Sequence, residues 1–218
     1  MTTPIEKKQT EVEATLRLAP VVAVVVIDDL AAAVPMAKAL VAGGIPAIEI
    51  TLRTPVSLDA IRAIAGEVEG AVVGSGTVLT PKDLKASENA GARFAVSPGA
   101  TKNLLDAADS SVLPWLPGAA TASEAMALYE RGYRFLKFFP AVPAGGHALL
   151  KAWASPLPDI KFCPTGGIRD NTATDFLASP NVVCVGGTWL TPADIVKAGD
   201  WKKIEDLARA AAMLKAKA

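Results

Sequence analysis

Short runs of β-branched and aliphatic residues recur about every 20 to 25 positions along this chain, and each is followed by a segment with helical periodicity rich in alanine, leucine and charge. Eight runs are present, at residues 21–26, 47–51, 71–76, 94–97, 112–116, 135–139, 160–163 and 182–186. The helical segments begin near Leu30, Pro55, Pro81, Thr101, Thr121, His147 and Asp170, with a short extra helix at Thr191 before one at Trp201. Strands alternating with helices demand a parallel sheet covered by helices, and eight such units are most simply accommodated by a closed (β/α)8 TIM barrel. An additional N-terminal helix is expected near residues 11–18. The alternative is an open doubly wound sheet, but no Gly-x-Gly-x-x-Gly turn follows the first run. No shift in composition or Ser/Pro-rich linker divides the 218 residues, so a single domain spanning 1–218 is expected.

Local punctuation agrees with this alternation. Thr54-Pro55 and Thr80-Pro81 each place an N-cap residue before a proline at the first helical position, and Thr191-Pro192-Ala193-Asp194 resembles a capping box. The 22 basic and 22 acidic residues cancel, which removes the electrostatic basis for binding nucleic acid or an anionic membrane. The charged N-terminal stretch has no signal-like apolar core, and no later segment gives 18 uninterrupted apolar residues, so a cytoplasmic protein is expected. Cys163 and Cys184 lie in apolar runs and read as buried free thiols. The single histidine, His147, has no partners at metal-ligand spacing, so neither a zinc site nor a Ser-His-Asp triad is indicated.

In such barrels the chemistry sits at the C-terminal ends of the strands. Period-two alternation in "AIEITLRT" puts Ala47, Glu49 and Thr51 on one face and Ile48, Ile50 and Leu52 on the other. The large aliphatic residues suit the helices, so Glu49 is expected to point inward. Lys137, in "RFLKFFPA", shares a face with Phe135 and Phe139, and its own strand leaves open which face that is. The second and sixth runs lie across a barrel from one another and contribute to the same interior layers, so Glu49 and Lys137 can meet. A buried ion pair that merely organises the core is the alternative, although such pairs are seldom the best stabiliser. A free lysine is a neutral amine in only about one molecule in two thousand at pH 7, and desolvation is how imine-forming lysines are activated.

Gly166-Gly167 and Gly186-Gly187 end the last two runs, each pair beside a threonine, Thr165 or Thr188. Glycines let backbone N–H groups approach an anion, and loops after strands seven and eight are the usual phosphate site of this fold. The short helix after Pro192 offers its positive end nearby. Tight strand-to-helix turns are the alternative reading of either pair. Arg53 and Thr77 follow the second and third runs, where a guanidinium and a hydroxyl can hold a carboxylate. Ser97-Pro98-Gly99 reads as a turn, and the four tryptophans as packing residues.

The stretches "IEITLRT", "GTVL", "VSPG", "LPG", "FLKFFPA", "FCPTGG" and "GGTWL" occur in the order and spacing of the 2-keto-3-deoxy-6-phosphogluconate (KDPG) and 2-keto-4-hydroxyglutarate (KHG) aldolase family, which the chain resembles from about Leu18 to its last helix. The resemblance implies a (β/α)8 barrel, usually a homotrimer, that cleaves a phosphorylated keto acid to pyruvate and glyceraldehyde 3-phosphate without a metal or other cofactor. It implies Lys137 as the Schiff-base lysine and Glu49 as general acid/base. Arg53 and Thr77 would hold the pyruvyl carboxylate, and Gly166, Gly167, Gly187 and Thr188 the phosphate, while Phe139 and Thr165 would line the cavity. Thr188 stands where many relatives have serine, Ser75 where alanine is common, and Val142 where glutamate is frequent. Some relatives place an arginine near Val26.

Overall fold

The computed structural model describes residues 3–214 and contains nine short strands, all paired in parallel, interleaved with helices. Helix α1 (Pro4–Leu16) precedes β1 (Val21–Val25). A one-turn 3-10 helix (Leu30–Ala32) leads into α2 (Ala33–Ala42), and β2 (Ala47–Thr51), α3 (Ser57–Glu67), β3 (Val72–Gly76), α4 (Pro81–Asn89), β4 (Ala95–Val96) and α5 (Lys102–Ser110) follow. The second half comprises β5 (Trp115–Leu116), β6 (Gly118–Ala119), α6 (Ala122–Glu130), β7 (Phe135–Phe138), α7 (Gly146–Trp153), β8 (Lys161–Pro164), α8 (Asp170–Leu177), β9 (Val185–Gly187), α9 (Ala193–Ala198) and α10 (Trp201–Ala212).

Six strands form one sheet in the order β5-β4-β3-β2-β1-β9, and three form a second in the order β6-β7-β8. Isolated parallel bridges, Phe162 to Val182 and Thr165 to Gly186, connect β8 with the segment carrying β9. The result is a curled parallel α/β sheet rather than eight uninterrupted strands. Its two faces differ as alternation requires. Ile48, Ile50, Leu136, Phe138 and Phe162 belong to the large cluster shared with the helices, whereas Val22, Ala47, Phe94, Val96, Leu116, Phe135, Cys163 and Cys184 form a separate inner cluster. Each large side chain removed from water contributes about 1.5–3 kcal/mol, so shifting a strand by one residue would exchange these sets at high cost.

The sequence reading needs correction in several places. Only the end of the fifth run, 112–116, is a strand (β5), and a further strand, β6, follows it after Pro117, which has no N–H to donate to a ladder. Its carbonyl instead accepts from the Lys137 N–H at 2.8 Å, and Val112 remains outside the strand and exposed. The eighth strand begins at Val185 rather than Val182, which takes part only in an isolated bridge. Helix α1 starts well before the expected 11–18, because Thr3 and Glu6 complete a capping box with Pro4 in the first turn. Thr54 does not cap a helix at Pro55: its hydroxyl donates to the Ile27 carbonyl, tying together the loops after β1 and β2, and α3 starts at Ser57. Thr191 and Asp194 form no capping box, since α9 begins after Pro192 without a side-chain cap. Thr80, Thr101 and Thr121 do cap α4, α5 and α6.

Helix α1 packs against the N-terminal ends of the strands. Val12 and Leu16 enter the inner cluster, and Gln9 Oε1 accepts from the N–H groups of Arg134 and Phe135 at 2.8 and 2.9 Å. Among the described residues, no helix is long and apolar enough to cross a membrane.

Candidate active site

Glu49 lies in the middle of β2, paired in register with Val24 on one side and Gly74 on the other. Lys137 lies in β7, between Gly118 of β6 and Cys163 of β8. The two strands belong to different sheets, yet Lys137 Nζ donates to Glu49 Oε1 at 3.0 Å across the inner space. Lys137 therefore faces inward, since Leu136 and Phe138 on either side of it pack with the helices. Both charged residues are almost withdrawn from water, Glu49 at 3 % and Lys137 at 5 % exposure. The Phe139 ring centroid lies 5.5 Å from the same amine.

Room for the pair is made by residues that lack a side chain. A Cβ on Gly76 would fall 2.2 Å from Glu49 Oε1, so any larger residue there would displace the carboxylate from its present place. Gly186 stands in the same relation to Thr165, where a Cβ would fall 2.1 Å from Oγ1. Sequence reasoning missed Gly76, and it read Gly186 for anion binding when its position in β9 is fixed by packing. The signal available for Gly76 was its place directly before Thr77 at a strand end. Thr165 Oγ1 is buried and without a hydrogen-bond partner, an arrangement that costs free energy and calls for explanation.

The remaining candidates flank the pair at the same ends of the strands. Arg53 follows β2 and is exposed, and its Nε donates to Thr77 Oγ1 at 3.1 Å, so these two residues do come together. Thr77 adopts a left-handed φ of 58°, uncommon for a β-branched residue, which presents its hydroxyl to Arg53. Ser97 is occupied locally, donating to the Gly99 carbonyl at 2.6 Å as a turn residue should. Gly166 and Gly167 both have positive φ, 104° and 80°, which allows the sharp exit from β8. Phe139 lines the Gly166 side of that turn, and Val142 packs over Gly167. Gly187 closes β9 with the Trp189 ring against its Cα, and Thr188 is exposed beyond it.

Chemically, the arrangement offers a buried amine, a carboxylate within hydrogen-bond reach of it, and a guanidinium–hydroxyl pair alongside. An amine nucleophile and a proton carrier in direct contact are what imine chemistry requires. The cysteines add nothing to it. Both are free and buried, and the Cys163 contact together with burial holds the Cys184 thiol well above its usual pKa, in the unreactive protonated form.

A family model described as "KDPG and KHG aldolase" matches residues 12–207. The chain is 50% identical over 207 residues to the 2-dehydro-3-deoxy-phosphogluconate aldolase of Pseudomonas aeruginosa, covering 95% of this chain and 94% of that one. It is 51% identical over 203 residues to the KHG/KDPG aldolase of Escherichia coli K12, covering 93% and 95%. Among solved structures, the 2-keto-3-deoxy-6-phosphogluconate aldolase of Zymomonas mobilis ZM4 with 3-phosphoglycerate superposes with a TM-score of 0.91 at 45% identity, covering 95% of this chain and 97% of that one. The KDPG aldolase of Legionella pneumophila, with pyruvate captured as a covalent carbinolamine intermediate, gives 0.90 at 44% identity, covering 92% and 97%. With near-complete coverage in both sequence and structure, the chain belongs to the KDPG and KHG aldolase family.

Proposed function

We infer that this protein is a metal-independent class I aldolase that cleaves 2-keto-3-deoxy-6-phosphogluconate to pyruvate and glyceraldehyde 3-phosphate. The observation that carries the reading is the buried contact between Lys137 and Glu49, 3.0 Å apart at the heart of the curled sheet. Family membership and the activities named for the relatives support it.

Lys137 attacks the C2 ketone to form a carbinolamine, and Glu49 delivers the proton with which the hydroxyl leaves as water. The resulting protonated imine is an electron sink. Glu49 removes the C4 hydroxyl proton, the C3–C4 bond breaks, and its electron pair passes into the imine to leave an enamine while C4 becomes the aldehyde. Protonation at C3 and addition of water then release pyruvate and the free amine, so the water lost earlier is restored. Arg53 and Thr77 hold the carboxylate, Phe139 and Thr165 line the cavity, and Gly166, Gly167, Gly187 and Thr188 receive the phosphate.

In this reading the whole chain, 1–218, is one domain, and the two sheets are arcs of one closed (β/α)8 barrel. The single-residue step across Pro117 from β5 to β6 and the isolated bridges that join the segments carrying β8 and β9 support that closure. A cytoplasmic homotrimer is part of the same proposal, checked by sedimentation of the purified protein. Borohydride reduction in the presence of pyruvate tests the chemistry: a single pyruvyl adduct on the peptide carrying Lys137 is expected, and absence of an adduct overturns the mechanism.

A further inference from the structure

Eight loops lead from the strand ends into the following helices: residues 26–32, 52–56, 77–80, 97–101, 120–121, 139–145, 165–169 and 188–192. Across all of them the only cationic side chains are Arg53 and Arg169, and the only anionic ones are Asp28 and Asp29. A substrate with a carboxylate at one end and a phosphate dianion at the other binds more tightly where positive charge stands near both. Arg53 is committed to the carboxylate side by its bond to Thr77 Oγ1. Backbone N–H groups and a helix end bring only partial charges to a phosphate, so a side-chain cation beside them adds attraction for the dianion.

Arg169 ends the loop that begins Thr165-Gly166-Gly167. Its backbone is fixed, because its N–H donates to Thr172 Oγ1 at 3.0 Å and its carbonyl accepts from the same hydroxyl at 3.2 Å. The side chain is exposed, and among the described residues its guanidinium has no ion pair or hydrogen bond. A cation held at its base and unpaired at its tip is suited to an incoming anion. Thr165, in the loop that ends at Arg169, bridges to Gly186, and β9 pairs with β1, which runs into the loop carrying Asp28, so the loops bearing Arg169 and Asp28 neighbour the Gly187–Thr188 turn on its two sides. Asp29 is already occupied, its carboxylate accepting from the Ala31 N–H.

We propose that Arg169 is a specificity-determining residue of this aldolase, supplying the full positive charge that selects phosphorylated over unphosphorylated keto acids. The proposal rests on the reading of the Gly166, Gly167, Gly187 and Thr188 cluster as the phosphate site.

The test is kcat/KM for the phosphorylated acid and for its dephosphorylated counterpart, in the wild type, Arg169→Gln and Arg169→Lys. Arg169→Gln is expected to lower kcat/KM for the phosphorylated acid about tenfold, through KM, while the dephosphorylated acid changes by less than about twofold. Arg169→Lys restores part of the loss, because a point charge attracts the phosphate without forking onto it. Equal losses on both acids assign Arg169 to loop structure and overturn the proposal. A wild-type preference for the phosphorylated acid that survives in Arg169→Gln overturns the role of Arg169 alone. A wild type without that preference removes the phosphate site and Arg169 together.

Discussion

Two lysines are buried in this fold, one beneath the strands and one within them, and they are buried differently. Lys8, on α1 at the N-terminal ends, is 9 % exposed and its Nζ donates to the carbonyls of Ala108, Asp109 and Ser111 at 2.6, 3.0 and 2.9 Å. Those carbonyls belong to the C-terminal end of α5 and the residue after it, so all three ammonium protons are used on groups that cannot titrate, at the negative end of a helix. Burial pulls the Lys8 pKa below its ordinary value, against the opposing pull of Asp109 and Glu11. Lys137 is buried at least as deeply, but it makes one hydrogen bond, and that bond goes to a carboxylate. Burial alone therefore does not give two lysines the same chemistry. What separates the two is whether the amine's donors are saturated by fixed acceptors or held by a single group that can itself take up and release a proton.

The comparison breaks most readily at Lys137. Lys137→Met should abolish borohydride trapping of pyruvate and lower turnover by at least about four powers of ten. It should also destabilise the fold by about 3–5 kcal/mol, because Glu49 stays buried without its cation. Adding Glu49→Gln should recover stability but not activity, and denaturant titration beside the trapping assay separates the two. Glu49→Gln alone should slow turnover by about two to four powers of ten while pyruvate is still trapped on Lys137. Turnover at the wild-type rate in that variant would remove Glu49 from proton transfer.

Lys8→Met should cost about 2–4 kcal/mol in denaturant unfolding, from three charge-assisted bonds, and leave kcat unchanged. A loss of kcat without a loss of stability would erase the distinction between the two lysines. The smallest effect belongs to Glu124, the acidic counterpart of Lys8, whose carboxylate accepts from the Ala120 and Thr121 N–H groups at 2.8 and 2.9 Å. The Ala120 bond, ahead of the others, lowers its pKa below the ordinary 4.5, so in that window the unfolded chain binds more protons. Its contribution is complete above pH 4.5 and is lost as pH falls through the lower, folded-state pKa. Glu124→Gln should cost about 0.5–1 kcal/mol at neutral pH, and the difference from wild type should shrink in acid.

Strands with clean alternation were legible in the sequence. "AIEIT" gave both the extent of β2 and the inward face of Glu49, and β7 began where its run began. The face of Lys137 was not legible, because Phe135 and Phe139 on its side are as apolar as Leu136 and Phe138 on the other. Packing decided it, through the helices that cover the latter two. The break at Pro117 and the late start of β9 were missed because apolar composition marks burial without marking which N–H groups find a partner. Gly76 was missed for a related reason: it leaves space for an atom contributed by a different strand, and its place before Thr77 marks a strand end without naming that atom.

Helix α1 carries a consequence for how the protein is made. It leaves the ribosome before every strand it packs against, and with 13 residues it is too short to hold its own structure firmly in water. Its anchors come much later: Lys8 waits for a carbonyl 100 residues onward, and Gln9 for the backbone of Phe135, 126 residues onward. Closing contacts of such separation is slow. A segment synthesised before all the strands is thus among the last to dock, and Gln9 acquires its partners only when the strand bearing Lys137 emerges, so the nascent chain completes its floor only once that buried amine is in place.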